Sequence, residues 1–193
     1  MQDSGEAFIH DGDDVLIEIN RVWAMPNKNT FDIPPISSFV KKYLYNSKIS
    51  IDPFSRNKRW VTYTNDLDAN TLAEYHLEAR DFLKLLINRK IKADLIILDP
   101  PYSQIQVSRA YQNIGKEYKP FGDDNNATLY RETKKLLNQL LSLQGIALSF
   151  GWNSSGFGKQ RGYEIFEILL VCHGAAHNDT ICVAEKKIQG EMF

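Results

Sequence analysis

Four consecutive residues carry the most specific chemistry in the sequence: Asp99-Pro100-Pro101-Tyr102, placed directly after the apolar run Leu95-Ile96-Ile97-Leu98. A carboxylate, a proline carbonyl and a phenol ring on so stiff a backbone suit a flat heterocycle bearing an exocyclic amine. Asp99 and the Pro100 carbonyl can each accept one N–H bond from such an amine, and Tyr102 can stack on the ring face. The amine of a purine is a poor nucleophile because its lone pair is delocalised into the ring. Two acceptors that draw both hydrogens out of the ring plane would localise that lone pair for attack on an electrophilic carbon. The plainer alternative is a strand that ends in a proline turn with an aspartate cap.

These residues need a particular platform. Leu95–Leu98 reads as a short strand buried on both faces. Proline cannot donate to a sheet ladder, so the strand must stop at Asp99, and Pro101 holds Pro100 extended. In open α/β sheets, ligands bind at this carboxyl end of the strands.

The Asp99–Tyr102 tetrad after its apolar strand resembles motif IV of the S-adenosylmethionine-dependent amino-methyltransferases that act on adenine N6 or cytosine N4. The leading aspartate is more similar to the adenine N6 enzymes. The resemblance implies a Rossmann-like methyltransferase fold, with Asp99, Pro100, Pro101 and Tyr102 at the target base. It also implies S-adenosylmethionine as cofactor and DNA as substrate, with RNA as the alternative within enzymes. A methyltransferase-like protein that binds nucleic acid without turnover is the alternative from another class.

The order of the remaining elements agrees with that fold. Val15–Ile19 is expected as a short strand, and Ser37–Tyr45 as a helix capped by Ser37 or Ser38. Ile49–Asp52 and Trp60–Thr64 read as strands, Asn70–His76 and Glu78–Arg89 as helices. Residues 104–126 read as a long irregular stretch, and Ala127–Leu143 as an amphipathic helix ended by Gly145. Ile146–Phe150 is a strand and Gly151–Gly162 a loop. Glu164–Val171 and Thr180–Glu185 form a β-hairpin. The sum is an α/β chain with a mostly parallel sheet and a C-terminal hairpin. Residues 1–193 read as a single methyltransferase domain, with 1–14 as a loose tail.

On the cofactor side, the resemblance implies roles for Asp52-Pro53-Phe54 after the first strand, Asp66 at the tip of the next, and Asp81-Phe82. Asp66 would take the ribose hydroxyls and Phe82 would cover the adenine. Thr30-Phe31 would close over the methionine carboxylate. The family's glycine-rich loop is missing: Phe54 is followed by Ser55-Arg56-Asn57, and no glycine lies between Gly12 and Gly115. Positive φ is then costly, so side chains such as Ser55 and Asn57 are expected to supply contacts. A competing placement puts the cofactor at Phe150–Gly158, as in permuted members, but only a hairpin follows and no strand tipped by a ribose-binding acid remains.

Composition narrows the rest. At 193 residues, 43% hydrophobic, 24% charged and a formal net charge of −1, the chain has an ordinary globular balance and no global basic signature. Phosphate contacts must come from local clusters, for which Arg56, Lys58 and Arg59, Lys116 with Lys119, and Lys159 with Arg161 are the candidates. No apolar run approaches a membrane span, and Cys172 and Cys182 are expected as buried free thiols, so a cytoplasmic protein without membrane contact is expected. His173, His177 and Asp179 make a weak metal signature, and no metal is expected. Either a monomer or a homodimer is compatible.

Overall fold

Leu95, Ile96, Ile97 and Leu98 each retain at most 1% of their surface, as a strand covered on both faces requires. They belong to one of two compact units of the chain, formed by Lys48–Ser142; the other takes in residues up to Ser47 and from Leu143 onward. The computed structural model describes residues 7–11, 15–101, 103–115, 126–174 and 177–190.

The Lys48–Ser142 unit is built on three parallel strands in the order β5-β3-β4: β3 at Ser50–Asp52, β4 at Tyr63–Thr64 and β5 at Ala93–Leu98. Ile51 pairs with Tyr63 on one side and with Ile96 on the other. Asp94 fixes this register: its carboxylate accepts from the Lys48 and Ile49 amides at 2.9 and 3.3 Å, while its own amide donates to Ile49 O at 2.9 Å. Three helices accompany the strands, α2 (Ala79–Asn88), α3 (Gln104–Asn113) and α4 (Asn126–Leu140). Ala79, Phe82, Leu83 and Leu86 recur at helical spacing and form the buried stripe of α2. The Glu78 side chain caps its start by accepting from Arg80 N at 3.0 Å.

The other unit contains β1 (Ala7–Asp11), β2 (Val15–Trp23), all but the first two residues of β6 (Leu141–Gly151), β7 (Tyr163–Cys172) and β8 (Thr180–Lys187) in the order β1-β2-β7-β8-β6. Strands β2, β6 and β7 run one way, and β1 and β8 oppose them. In both units most strands therefore share one direction, and β7–β8 is the expected C-terminal hairpin. Helix α1 (Pro34–Leu44) packs on this sheet through aromatic rings. Phe39 and Phe31 both meet Phe150 edge-on, at 6.3 and 5.1 Å between centroids. Glu167 on β7 pins the helix by accepting from Lys42 Nζ at 2.7 Å and from the Tyr43 hydroxyl. Burial, reinforced by that carboxylate, pushes the Tyr43 phenol well above its usual range.

Several elements differ from the sequence-based expectation, each for a local reason. Helix α1 begins at Pro34, earlier than Ser37, because proline is pre-organised for the first helical position and gives up no bond there. Residues 70–76 are turns, since the Tyr75 amide and carbonyl pair with Thr64 O and Asp66 N. Residues 104–113 are helical rather than irregular, with the Ser103 hydroxyl capping Gln106 N at 3.3 Å. Helix α4 ends at Leu140 and Gly145 lies inside β6. Residues 7–11, expected in a loose tail, pair with β2. Among the described residues no helix is long and apolar enough to cross a membrane.

The glycine-rich loop between β6 and β7 closes over Glu185, a β8 carboxylate with no exposed surface that accepts from the Phe157 amide and from Gly158 N at 2.9 Å. Gly156 sits at φ +45°, and a Cβ there would lie 2.2 Å from Glu185 Oε2. Gly156→Ala should therefore cost about 2 kcal/mol or more, through backbone strain and a displaced carboxylate. Urea unfolding that gives parent and variant the same midpoint and slope would contradict this account of the loop.

Candidate functional site

Each strand of the β5-β3-β4 group delivers an acid where it ends. Strand β5 stops at Leu98, ahead of Pro100 and Pro101, and leaves Asp99 half-buried immediately beyond it. Strand β3 ends on Asp52, which is only 2% exposed. Strand β4 ends at Thr64 and continues into Asn65 and Asp66. Because the pairing is parallel throughout, the three acids emerge at one edge, the carboxyl edge of this unit.

That proximity acts on the ionisation of the acids. Burial pushes the Asp52 carboxyl well above the usual carboxylate range, and the charges of Asp99 and Asp66 push it further. The Phe54 amide, donating to Asp52 Oδ1 at 2.9 Å, works against the rise. Asp66 is also raised, chiefly by burial. It accepts from Asp68 N at 2.9 Å and Arg56 N at 3.2 Å, and these bonds together with the Arg56 charge hold the rise back. A carboxylate offers about four lone-pair positions, so Asp66 retains capacity for two hydroxyl donors.

The connection after β3 is held without glycine. Arg56 itself takes the left-handed conformation, at φ +50°. The cost for a residue with a Cβ is roughly 1 kcal/mol, offset by the bond from its amide to Asp66. Ser55 does not face a ligand: it is 1% exposed, and its amide and hydroxyl both donate to Asn65 O, at 2.9 and 3.2 Å. The Asn57 amide oxygen accepts from Leu72 N at 3.1 Å. Sequence reasoning missed Asn65 altogether. Its buried amide donates to Pro53 O and Leu77 O and accepts from Leu77 N, all within 3.1 Å, joining the ends of β3 and β4 to the approach to α2. An Asn-Asp pair after a strand reads as a turn, and nothing local marks its first member as a staple.

Asp52, Pro53, Phe54, Asp66, Asp99, Pro100 and Pro101 all belong to this unit, with Pro53 buried and Phe54 half-buried. Two others in the unit face elsewhere. Asp81 is exposed on the first turn of α2, 3.4 Å from Lys84 Nζ. Phe82 has no exposed surface with which to cover a ligand and packs on Tyr75 at 5.3 Å between centroids. Thr30 and Phe31 lie in the other unit, where Phe31 is a core residue against Phe150. Lys159 is exposed, and Arg161 spends one guanidinium nitrogen on Phe157 O at 2.9 Å. Tyr102, Lys116 and Lys119 lie outside the described residues.

The Phe150–Gly158 segment, considered as an alternative cofactor loop, has its glycine-borne freedom committed to Glu185. An acid closing the run Ile181-Cys182-Val183-Ala184 was the sequence signal for that anchor. His173 is likewise committed. Its Nδ1 donates to Ala24 O at 2.9 Å, since a carbonyl can only accept, and its Nε2 is hydrogen-bonded to the Thr180 hydroxyl at 2.9 Å.

No family model matches the chain, and no curated protein matches it. Its fold is similar to that of several solved structures, two of which follow. One is SMU.776, solved in complex with SAH, with 17% identity over 88% of this chain and 53% of that one, and a TM-score of 0.50. The other is TrmN from Thermus thermophilus, with 14% identity over 81% of this chain and 49% of that one, and a TM-score of 0.50. The chain spans about half the length of each. The architecture is that of the Rossmann-like methyltransferases.

Proposed function

We propose that the chain is an S-adenosylmethionine-dependent methyltransferase that modifies the N6 amino group of adenine in nucleic acid, with DNA as the first substrate. The observation that carries this reading is the convergence of Asp99, Asp52 and Asp66 at the carboxyl edge of β5, β3 and β4, with Asp99 leading into two prolines. Residues 1–193 would act as one catalytic domain.

S-adenosylmethionine, when bound, supplies a methyl group on a positively charged sulfur. Asp66 would accept the two ribose hydroxyls with the capacity its backbone bonds leave. Asp52 would hold the Phe54 turn in place beside the cofactor. Asp99 and the Pro100 carbonyl would accept the two amine hydrogens of the target base and localise its lone pair, with Tyr102 stacked on the ring. A base in a duplex must flip out to reach such an edge, at a few kcal/mol, and stacking returns about 1–3 kcal/mol of that. Lys159 and Arg161, with Lys116 and Lys119, are proposed to contact phosphates.

The reading is tested with methyl-labelled cofactor and unmethylated DNA and RNA, followed by nucleoside analysis. Label in 6-methyladenine from DNA is expected. Label in RNA alone moves the substrate to RNA, and firm binding of cofactor and nucleic acid without transfer leaves a binding module. Asp99→Ala removes one of the two acceptors, so turnover should fall by about two orders of magnitude with little change in cofactor affinity. An active Asp99→Ala enzyme would contradict the assignment.

Ionisation of Asp52 supplies a second prediction. Unfolded, its carboxyl titrates near ~3.9; folded, burial and its acidic neighbours raise it. Through that window the folded chain holds a proton that the unfolded chain has released, so stability falls as pH rises through it and stays lower above. Asp52→Asn keeps an acceptor for Phe54 N and removes the charge. Its melting temperature should exceed the parent's at about pH 8, with the gain vanishing toward about pH 4. A gain that is constant across pH would place the effect elsewhere.

A further inference from the structure

We infer that the carboxyl end of β2 is a base-stacking platform for single-stranded nucleic acid, centred on Trp23; the inference rests on the nucleic-acid substrate proposed above. Outward alternation makes the platform. Arg21, Trp23 and Met25 are exposed while Ala24 is buried, the two-residue period of a strand with one covered face. Trp23 and Met25 keep 65% and 68% of their surface. The backbone beneath them is fixed: the Ala24 amide donates to Cys172 O at 3.1 Å, and Ala24 O accepts from His173 Nδ1 at 2.9 Å. The indole is held as well. Gly174 stands at φ +68°, and a Cβ on it would lie 3.4 Å from Trp23 Nε1. One edge of the ring thus rests on the Gly174 backbone while most of its surface stays open, which makes a stacking group that loses little freedom on binding.

The surroundings say what the platform takes. From Ile19 to Phe31 the chain carries two exposed cations, Arg21 and Lys28, and no acid. Arg21 donates from Nε to Cys172 Sγ at 3.2 Å, and Cys172 is the register partner of Trp23, so the charge stands beside the indole. Asp179 close by accepts from the His173 amide at 2.9 Å. An open indole beside cations complements a base and its phosphates. A second aromatic stands along the same edge. Strand β6 runs parallel to β2, so Trp152, the first residue after β6 and 46% exposed, leaves the sheet at the edge where Trp23 does. Three strand spacings separate them, about 14 Å. Between them stand the buried His173 and Thr180 and the exposed Asn178 and Asp179. The core of a protein interface is contiguous and apolar, whereas separated rings with polar residues between them suit the bases of one strand.

The test titrates the protein with a single-stranded oligomer of about twelve thymidines and with an abasic oligomer of the same length, which keeps the phosphates and lacks the bases. Trp23→Ala should weaken the thymidine oligomer about tenfold, as loss of one stacked base does, and the abasic oligomer by less than about twofold. Trp23→Phe keeps a ring and should recover most of the affinity. In protein carrying Trp60→Phe and Trp152→Phe, the remaining indole fluorescence should be quenched by the thymidine oligomer and not by the abasic one. Unchanged affinity for the thymidine oligomer in Trp23→Ala would overturn the inference. An equal loss for both oligomers would also overturn it, by making the residue structural or a phosphate contact. A parent that sediments as a dimer and a Trp23→Ala variant that sediments as a monomer, with equal oligomer affinity, would assign the surface to a second copy of the chain instead. A parent that binds neither oligomer overturns the inference; if it still labels nucleic acid with methyl groups, the substrate reading stands without it.

Discussion

Parallel pairing of β5, β3 and β4 is the constraint on which the candidate site depends. Parallel strands must be joined by crossovers, so every strand of the group leaves the sheet at the same edge. The sequence places an acid at each exit, Asp99, Asp52 and Asp66, and the pairing of Ile51 with both Tyr63 and Ile96 brings those exits level. The cost is written into Asp52, whose carboxyl is withdrawn from water and raised by both neighbours. Such a concentration of like charge contributes nothing to folding and is characteristic of sites that handle polar or cationic ligands.

The connections that support this edge show how a turn ordinarily built with glycine can be built without it. Arg56 adopts the left-handed conformation because its amide is claimed by Asp66 and the preceding Ser55 is fixed twice to Asn65 O. Asn65 is in turn fixed to Pro53 and Leu77. The backbone geometry is thus imposed by buried polar groups rather than permitted by a missing Cβ. Glycine freedom is used instead between β6 and β7, where Gly156 lets the loop close on Glu185.

What was legible in the sequence follows from how local each signal is. The β5 strand, its stop at the prolines and the β7–β8 hairpin rest on runs of neighbouring residues, and they fold as those runs indicate. The 70–76 segment misled because its composition suits a helix while its backbone is taken up by Thr64 and Asp66. Leu137 and Leu140 marked α4 correctly, but its end at Leu140 is set by the strand that follows, not by Gly145. The places of Asp99, Asp52 and Asp66 at strand ends could be read from the strand patterns. Asp81 and Phe82 could not be assigned that way, since facing a ligand or the core depends on how α2 is rotated, and Phe82 turns inward. Asn65 and Arg56 act through long-range hydrogen bonds that no short pattern announces.

The central claim is that the carboxyl edge of β5-β3-β4 holds the methyl donor. Ultraviolet cross-linking of methyl-labelled S-adenosylmethionine to the protein, followed by peptide mapping, tests it most directly. The account predicts label on peptides from residues 53–68 or 99–103, displaced by excess S-adenosylhomocysteine. Displaceable label confined to the loop of residues 151–162 would contradict it.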